Sequence, residues 1–569
     1  MRTIDDGSAP RTDAPSARTL SKRFRPIPIS SVEPARSGWW ARRREMDRTL
    51  FILIGLGFIW RIARYAAGQP LWGDEAFLAV SILLRDFAGL LRPLEYYQIA
   101  PAGFLWGERA AFEAFGPSEW ALRLIPFAAG LASLGLFTRF ALKVVDRRSA
   151  LFAIGIFAAS YYPVRHATEV KPYATDLLFS LVTTALAWRT WLDRESPRNW
   201  LALSAWVVFG VWCSYPLVFV VAGVGLVLAA EVGRSLTRRS VVCFLAFGLT
   251  TSASWFASYL FVARGQSTSA PFYTSLETWQ RAFPPFERCW SMAAWLLDVH
   301  TGNMLAYPHG GNQFGSIVTA LLVAAGALRL LKSRPVLLAM LLSPLGANLV
   351  AAAWKRYPYG TSARTSLFMA PAFCLLAGVG LAWAIRQLRR ARRRRVARLV
   401  AIGLGSMMVV ATVVNLGWPY KNYEDLLNRE AVGDLAGLAR PGDRWVIYDG
   451  VAELPMTRRL MLEHWLQQMA EVRYNVLARS PVPMDWMPEE GRVGAEAAPG
   501  GRTWLIVHRS GCLSFDEPRL DRLKASLGRG SGPPEARVIR LTRGESIEAF
   551  AYEMPVRVEV RTNREGGGL

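Results

Sequence analysis

Long apolar runs separated by short basic loops constrain this chain more than any other feature. Runs at 49–66, 119–142, 150–165, 174–190, 200–230, 241–262, 316–331, 336–353, 365–385 and 399–418 approach or exceed the roughly 18–20 residues an α-helix needs to cross a bilayer core. With 569 residues, 52% of them hydrophobic, and 22 Trp and 28 Phe, the chain is too long for one ordinary soluble domain. Its net charge of +23 would suggest nucleic acid in a soluble protein. Here the basic excess sits mostly in short loops between apolar runs, which is the pattern of cytoplasmic loops in membrane proteins.

The basic loops set an expected path. Arg42, Arg43, Arg44 and Arg48 hold the N-terminus inside, and the run at 49–66 reads as a signal anchor rather than a cleavable signal peptide. The uncharged run 200–230 is interrupted at Ser214-Tyr215-Pro216 and is followed by Arg234, Arg238 and Arg239. It therefore reads as a hairpin of two spans, giving about eleven in all. Arg386 to Arg395 form the strongest inside signal. Residues 1–45 form a cytoplasmic N-terminus, and the Pro, Ser, Arg and Asp of 1–38 predict disorder. Residues 46–420 form the transmembrane domain. In its first outer loop, 77–91 and 102–115 suit helices lying in the interface.

After residue 420 charge returns. Runs at 444–450 and 503–509 predict buried strands, as do 538–541 and 547–552. Helices are expected at 422–438, 454–469 and 516–527, the last with Asp516 as its N-cap. This predicts an α/β domain over 421–569, and an odd number of spans places it outside the cytoplasm.

The chemistry gathers on that outer side. Trp72-Gly73-Asp74-Glu75-Ala76 sets two carboxylates at the mouth of the first span, where charge is costly and usually functional. Tyr96-Tyr97-Gln98-Ile99-Ala100-Pro101 is a second element, Glu169, Lys171 and Tyr173 a third. Lys355, Arg356, Tyr357, Tyr359 and Arg364 form a fourth. A carboxylate beside two or three cations suits a phosphate-bearing substrate: the cations stabilise a phosphate leaving group and the carboxylate takes a hydroxyl proton. Blander readings stand beside each. Asp74-Glu75 can be the acidic start of an interfacial helix. Lys171 and Arg123 can snorkel to headgroups, and Lys355-Arg356 can be an interfacial anchor. The five Cys and five His show no CxxC pair and no HxxxH-type metal signature. No disulfide framework is visible; Cys289 and Cys512 lie outside the apolar runs, and a single bridge between them stays an open alternative.

Four of these stretches resemble a known family. Trp72-Gly73-Asp74-Glu75-Ala76 is similar to the first-loop acidic motif of the integral-membrane glycosyltransferases that use polyprenyl-phosphate sugars. Those are the GT-C class, and within it the family 39-like group of protein O-mannosyltransferases and aminoarabinose transferases. Phe115-Gly116-Pro117-Ser118-Glu119-Trp120-Ala121-Leu122-Arg123-Leu124 resembles the segment entering that group's second span. Glu169-Val170-Lys171-Pro172-Tyr173 resembles its second outer loop, and Tyr357-Pro358-Tyr359-Gly360-Thr361-Ser362-Ala363-Arg364 a late outer motif ending in Arg. The resemblance covers about residues 45–420, and the C-terminal domain is similar to the extracytoplasmic domain of bacterial members.

The resemblance implies a polytopic α-helical, GT-C-like fold with a C-terminal extracytoplasmic α/β domain, in a bacterial inner membrane. It implies inverting transfer of a sugar from a polyprenyl-phosphate donor to an extracytoplasmic acceptor (glycolipid, polysaccharide or protein). Asp74 would be the general base with Glu75 supporting it. Lys171, Arg364, Tyr173 and Arg356 would hold the donor phosphate. Glu169, Tyr97 and Gln98 would position the acceptor. Asp74 and Glu169 are the candidate ligands should a divalent cation, Mg or Mn, take part. The Glu/Lys-Pro-Pro pattern of aminoarabinose transferases is replaced by Gln98-Ile99-Ala100-Pro101, and the domain that protein mannosyltransferases carry between late spans has no counterpart. Rival readings are a polysaccharide polymerase or ligase, which usually relies on Arg-rich outer loops, and a lipid-linked sugar flippase, which would show internal repeats. A non-catalytic membrane scaffold is the third.

Overall fold

The computed structural model describes residues 36–269, 281–286, 288–308, 316–360, 362–417, 424–448, 459–486, 501–509, 516–528, 533–540 and 546–553. The disorder expected at the N-terminus and the alternative of a Cys289–Cys512 bridge, through Cys512, fall outside these residues. The first helix starts at Arg36, so residues 36–38 of the stretch expected to be disordered are helical.

Every expected span falls on a helix. In chain order the helices are α1 (Arg36–Ala66), α2 (Gly73–Leu84), α3 (Ala102–Phe115), α4 (Leu124–Val144), α5 (Arg147–Ala159), α6 (Tyr173–Leu192), α7 (Pro197–Gly210), α8 (Leu217–Ser235) and α9 (Arg238–Ser258). They continue with α10 (Cys289–Thr301), α11 (Ile317–Ser333), α12 (Pro335–Ala353), α13 (Ala370–Arg390) and α14 (Arg394–Gly417). The run 200–230 is broken between α7 and α8 at its Ser-Tyr-Pro step, where Pro216 removes a backbone donor. Six of the described helical segments are long and apolar enough to cross a membrane by length and composition. Helices α5, α7 and α11 have 13, 14 and 17 residues and fall below that length.

Helix α13 is the core of the bundle: 89% of its most apolar window is buried. Small residues let its neighbours approach. A Cβ on Gly380 would run into the Leu322 carbonyl of α11, and one on Gly378 into the Ala153 backbone of α5, as expected where helices pack in an apolar solvent. Large apolar side chains on the outer helices face outward, among them Phe51, Leu56, Leu249 and Leu321.

The C-terminal domain is a mixed sheet between helical layers. Its strands are β1 (Arg444–Tyr448), β2 (Met484–Trp486), β3 (Arg502–Arg509), β4 (Glu535–Arg540) and β5 (Ser546–Glu553), in the order β2-β1-β3-β5-β4. The first three are parallel, with Val446 opposite Leu505; β5 runs antiparallel to β3, with Leu505 opposite Phe550. Strand β2, of three residues, carries no apolar run and is not legible in the sequence. Alternation along the strands feeds two cores. Trp445, Ile447, Trp504 and Ile506 pack under α15 (Glu424–Leu438) and α16 (Arg459–Arg479); Val446, Leu505 and Val507 pack under α17 (Glu517–Leu527). Asp516 caps α17 as its sequence predicts, accepting from Arg519 N at 3.0 Å.

Helix α16 extends ten residues past its expected end; Val472 and Val476 keep one face on the sheet while another face meets the first outer loop. Its Ala470 and Tyr474 pack with Leu71, Phe77, Phe104 and Leu105 of the first outer loop. Arg473 pairs with Glu95, and Arg479 with Glu119. The C-terminal domain is thereby docked on α2 and α3, beside the first acidic motif.

Candidate active site

Helix α2 starts with Gly73, so Asp74 and Glu75 are its second and third residues. Successive helical residues point about 100° apart, and the two carboxylates face different surroundings. Glu75 is sealed. Its side chain is 1% exposed and accepts from Arg123 Nε at 2.9 Å and Nη2 at 2.7 Å, from Val170 N at 2.8 Å, and from Trp72 N at 3.4 Å. The last bond is the reach-back of a third-residue acid to its helix start. Arg123 also donates to the carbonyls of Gln69 and Pro70, tying the entry to α2 against the start of α4. Arg123 is therefore an architectural partner rather than a headgroup snorkel. Glu75, expected to share in the chemistry, has its oxygens committed to this clamp.

Asp74 faces a cavity. Its carboxylate pairs with Arg364 Nη1, and the two side chains keep 18% and 27% exposure. The cavity is about 230 Å³ and is lined by Asp74, Arg364, Arg165, His166, Tyr162 and Gln467, among others. Burial works against the Arg364 charge, but Asp74 and its hydrogen bond outweigh it and raise the pKa.

The loop between α5 and α6 supplies the facing wall. Glu169 accepts from Arg165 Nε and from His166 Nδ1, both at 2.6 Å. Burial favours the neutral acid, yet Arg165 and His166 prevail and hold the Glu169 pKa well below the usual carboxylate range. Burial pulls His166 the other way, below its ordinary value, against the pull of Glu169. A neutral imidazole beside an ionised carboxylate carries its proton on Nδ1. Its Nε2 is buried and meets no hydrogen-bond partner among the described residues. The spacing of Arg165, His166 and Glu169 on one helical turn was the available signal for this trio; a search for metal-type histidine pairs passes over it.

Lys171 is buried, with Nζ donating to Gln98 Oε1 at 2.7 Å. Burial lowers its pKa to about 8, with Asp74 opposing the shift and Arg364 adding to it. Tyr173, at the start of α6, sets its ring edge-on to His166 with centroids 5.1 Å apart. The structure thus brings together Asp74, Arg364, Lys171, Gln98, Glu169 and Tyr173. Arg356 and Tyr97 are exposed and are not among the cavity-lining residues. Arg165, His166 and Gln467 are additions that the sequence did not single out.

Residues 100–258 match the family model described as dolichyl-phosphate-mannose-protein mannosyltransferase. No curated protein sequence matches the chain. Among solved structures, the chain is similar to ArnT from Cupriavidus metallidurans in the apo state. The TM-score is 0.50 at 15% identity, covering 91% of this chain and 98% of that one. The same protein bound to undecaprenyl phosphate gives 0.49 at 16%, covering 90% and 98%. An Archaeoglobus fulgidus oligosaccharyltransferase in complex with zinc and sulfate gives 0.46 at 12%, covering 90% and 74%. The matched segment spans α3 to α9 and runs through the Glu169–Lys171 loop, and the ArnT fold extends over nearly the whole chain. Over residues 100–258 the chain thus matches a mannosyltransferase family model, and over nearly its whole length it has the fold of ArnT.

Proposed function

We propose that this enzyme moves a sugar from a polyprenyl-phosphate donor to a hydroxyl-bearing acceptor on the extracytoplasmic side, with inversion at C1. One observation carries the reading: the cavity sets a single carboxylate, Asp74, against Arg364 and Arg165, with Lys171 coupled to both Asp74 and Arg364. The description of the matching family names a dolichyl-phosphate sugar, a donor of the same chemical class.

In the proposed step the donor phosphodiester takes over the Arg364 guanidinium, and Arg165 and Lys171 add to its neutralisation. Asp74 is then released from its ion pair to accept the acceptor's hydroxyl proton. The acceptor oxygen bonds to C1 as the C1–O bond to phosphate breaks. The electron pair leaves on the phosphate, where guanidinium groups bind it bidentately. His166 is the second candidate for the proton, because it lines the same cavity and its Nε2 meets no hydrogen-bond partner among the described residues. The carboxylates here are each committed to a cation: Asp74 to Arg364, Glu75 to Arg123, and Glu169 to Arg165 and His166. That donor set suits a divalent cation poorly, and no step is routed through one.

The reading goes with an eleven-span path that puts Asp74, Lys171, Arg364 and the C-terminal domain outside the cytoplasm. A reporter fused after Tyr420 should then report an extracytoplasmic position. The deciding experiment is transfer from radiolabelled polyprenyl-phosphate sugars by wild type, Asp74→Asn and His166→Gln. Full transfer by Asp74→Asn with loss in His166→Gln would move the base to His166. Full transfer by both would end the reading.

A further inference from the structure

Lys171 differs from the other cations around the site. Arg364, Arg123 and Arg165 each pair with a carboxylate. The Lys171 ammonium donates instead to a neutral amide oxygen, Gln98 Oε1, at 2.7 Å. A neutral acceptor orients the ammonium without cancelling its charge, and an ammonium has two further N–H groups to offer a phosphate. Gln98 therefore sets the direction of that charge, yet it follows a costly bend. Tyr96 and Tyr97 have φ of 52° and 55°, in the left-handed region that residues larger than glycine rarely adopt. Such a bend persists only where its surroundings fix it. Gln98 Nε2 donates to Tyr96 O at 3.2 Å, inside the bend, and the chain on its far side is anchored from another part of the molecule.

That anchor is Gln266, 166 residues from Ala100. Its side chain is fully buried and pairs with the Ala100 backbone in both directions. Ala100 N–H donates to Gln266 Oε1, and Gln266 Nε2 donates to Ala100 O, each at 3.1 Å. Tyr215 Oη, in the turn between α7 and α8, lies 3.2 Å from Ala100 O and 3.1 Å from Gln266 Oε1. Gly103 N–H donates to Trp212 O of the same turn at 2.8 Å. Gln266 itself follows a break in helical geometry. Helix α9 ends at Ser258, a π-helical turn covers Tyr259–Ala263, and α-helix resumes over Arg264–Ser269. Such widened turns are rare and frequent at functional sites. Resting on the role given to Lys171 above, we propose that Gln266 is a positioning residue for donor binding: by pairing with the Ala100 backbone it fixes Gln98, and Gln98 aims the Lys171 ammonium at the donor phosphate.

The test is the Kd of undecaprenyl phosphate for the full-length protein in detergent, per folded molecule. That probe carries a polyprenyl phosphate and needs neither the sugar nor the acceptor. Lys171→Ala should weaken binding about 10–100-fold, the worth of a hydrogen bond to a charged group. Gln98→Ala and Gln266→Ala should each weaken it about 3–10-fold, since the ammonium remains but is no longer aimed. The double variant Gln98→Ala/Gln266→Ala should bind within about twofold of Gln98→Ala alone, because losses that run through one shared partner do not add. A Gln266 that only supports the fold would add its loss in full. Wild-type Kd in Gln98→Ala or Gln266→Ala, or full additivity in the double variant, overturns the positioning role. If Gln266→Ala yields no folded protein, Gln266→Met fills the same space without the hydrogen bonds and takes its place, with the same outcomes expected. Lys171→Ala separates the two readings. If it binds normally, the donor-phosphate role of Lys171 fails first; if it binds weakly while Gln266→Ala binds normally, only the positioning role fails.

Discussion

Asp74 and Glu75 are chain neighbours of the same charge, yet they belong to two unlike regions. Around Glu75 the protein is closed: Arg123 donates four hydrogen bonds, two of them to the carboxylate, and both side chains are at most 6% exposed. Around Asp74 it is open: one guanidinium meets the carboxylate at the wall of a cavity. A buried pair with every partner supplied holds structure, because removing one charge strands the other in a low dielectric. A pair at a cavity wall can be exchanged for a ligand's charge. The difference shows why an acidic motif at a membrane surface cannot be assigned as a unit. One residue organises the loop, and the other lines the cavity.

Substitutions can break this comparison in order of effect. Asp74→Asn should lower transfer by about 10²–10⁴-fold, the usual worth of a general base, with an unchanged thermal unfolding midpoint. Glu75→Ala should do the reverse in kind. It strands Arg123 at a cost of about 3–5 kcal/mol, seen as a lowered unfolding midpoint and poor folded yield in detergent. A stable Glu75→Ala protein would put both carboxylates in one class. Arg364→Ala should raise donor KM about 10–100-fold, as expected for loss of charge-assisted hydrogen bonds, and Arg364→Lys should recover only part because the bidentate fork is gone.

Lys171 offers a milder test through pH. Its pKa is lowered to about 8, so it is charged below that pH and neutral above it. Donor binding needs the charge, and kcat/KM for the donor should therefore decline as pH rises through about 8. Lys171→Arg should move that limb to higher pH. An unmoved limb would assign the titration elsewhere. The smallest expected effect is that of a chelator: EDTA should change transfer less than about twofold, since each carboxylate at the site already faces a cation. A large loss restored by Mg or Mn would return Asp74 and Glu169 to the role of metal ligands.

The helical framework was legible because length and hydropathy act locally: α1, α4, α8 and α12 follow directly from apolar runs, and Pro216 marks the α7–α8 break. Short continuous apolar runs likewise announced β1 and β3. Strand β2 was not readable, since Met484–Trp486 owes its pairing to Trp445 and Ile447 rather than to its own pattern. At the site, the types of Asp74, Lys171 and Arg364 and their common side of the membrane were available from the chain. The roles of Arg123 and His166 were not. A lone Arg or His near a span end has several uses, and only its neighbour in space distinguishes them.

By itself, then, the sequence determined that this chain folds as a membrane bundle with an α/β domain beyond it, and that acids and cations collect at one surface. Burying apolar surface and placing positive loops depend on composition over short windows, which any linear reading contains. Tertiary structure decided which carboxylate faces the cavity and which is sealed. That placement depends on Arg123, 48 residues from Glu75, and Arg364, 290 residues from Asp74, meeting these carboxylates in space. Charge pairing and helix positioning depend on distances of a few ångströms between residues that the chain keeps far apart.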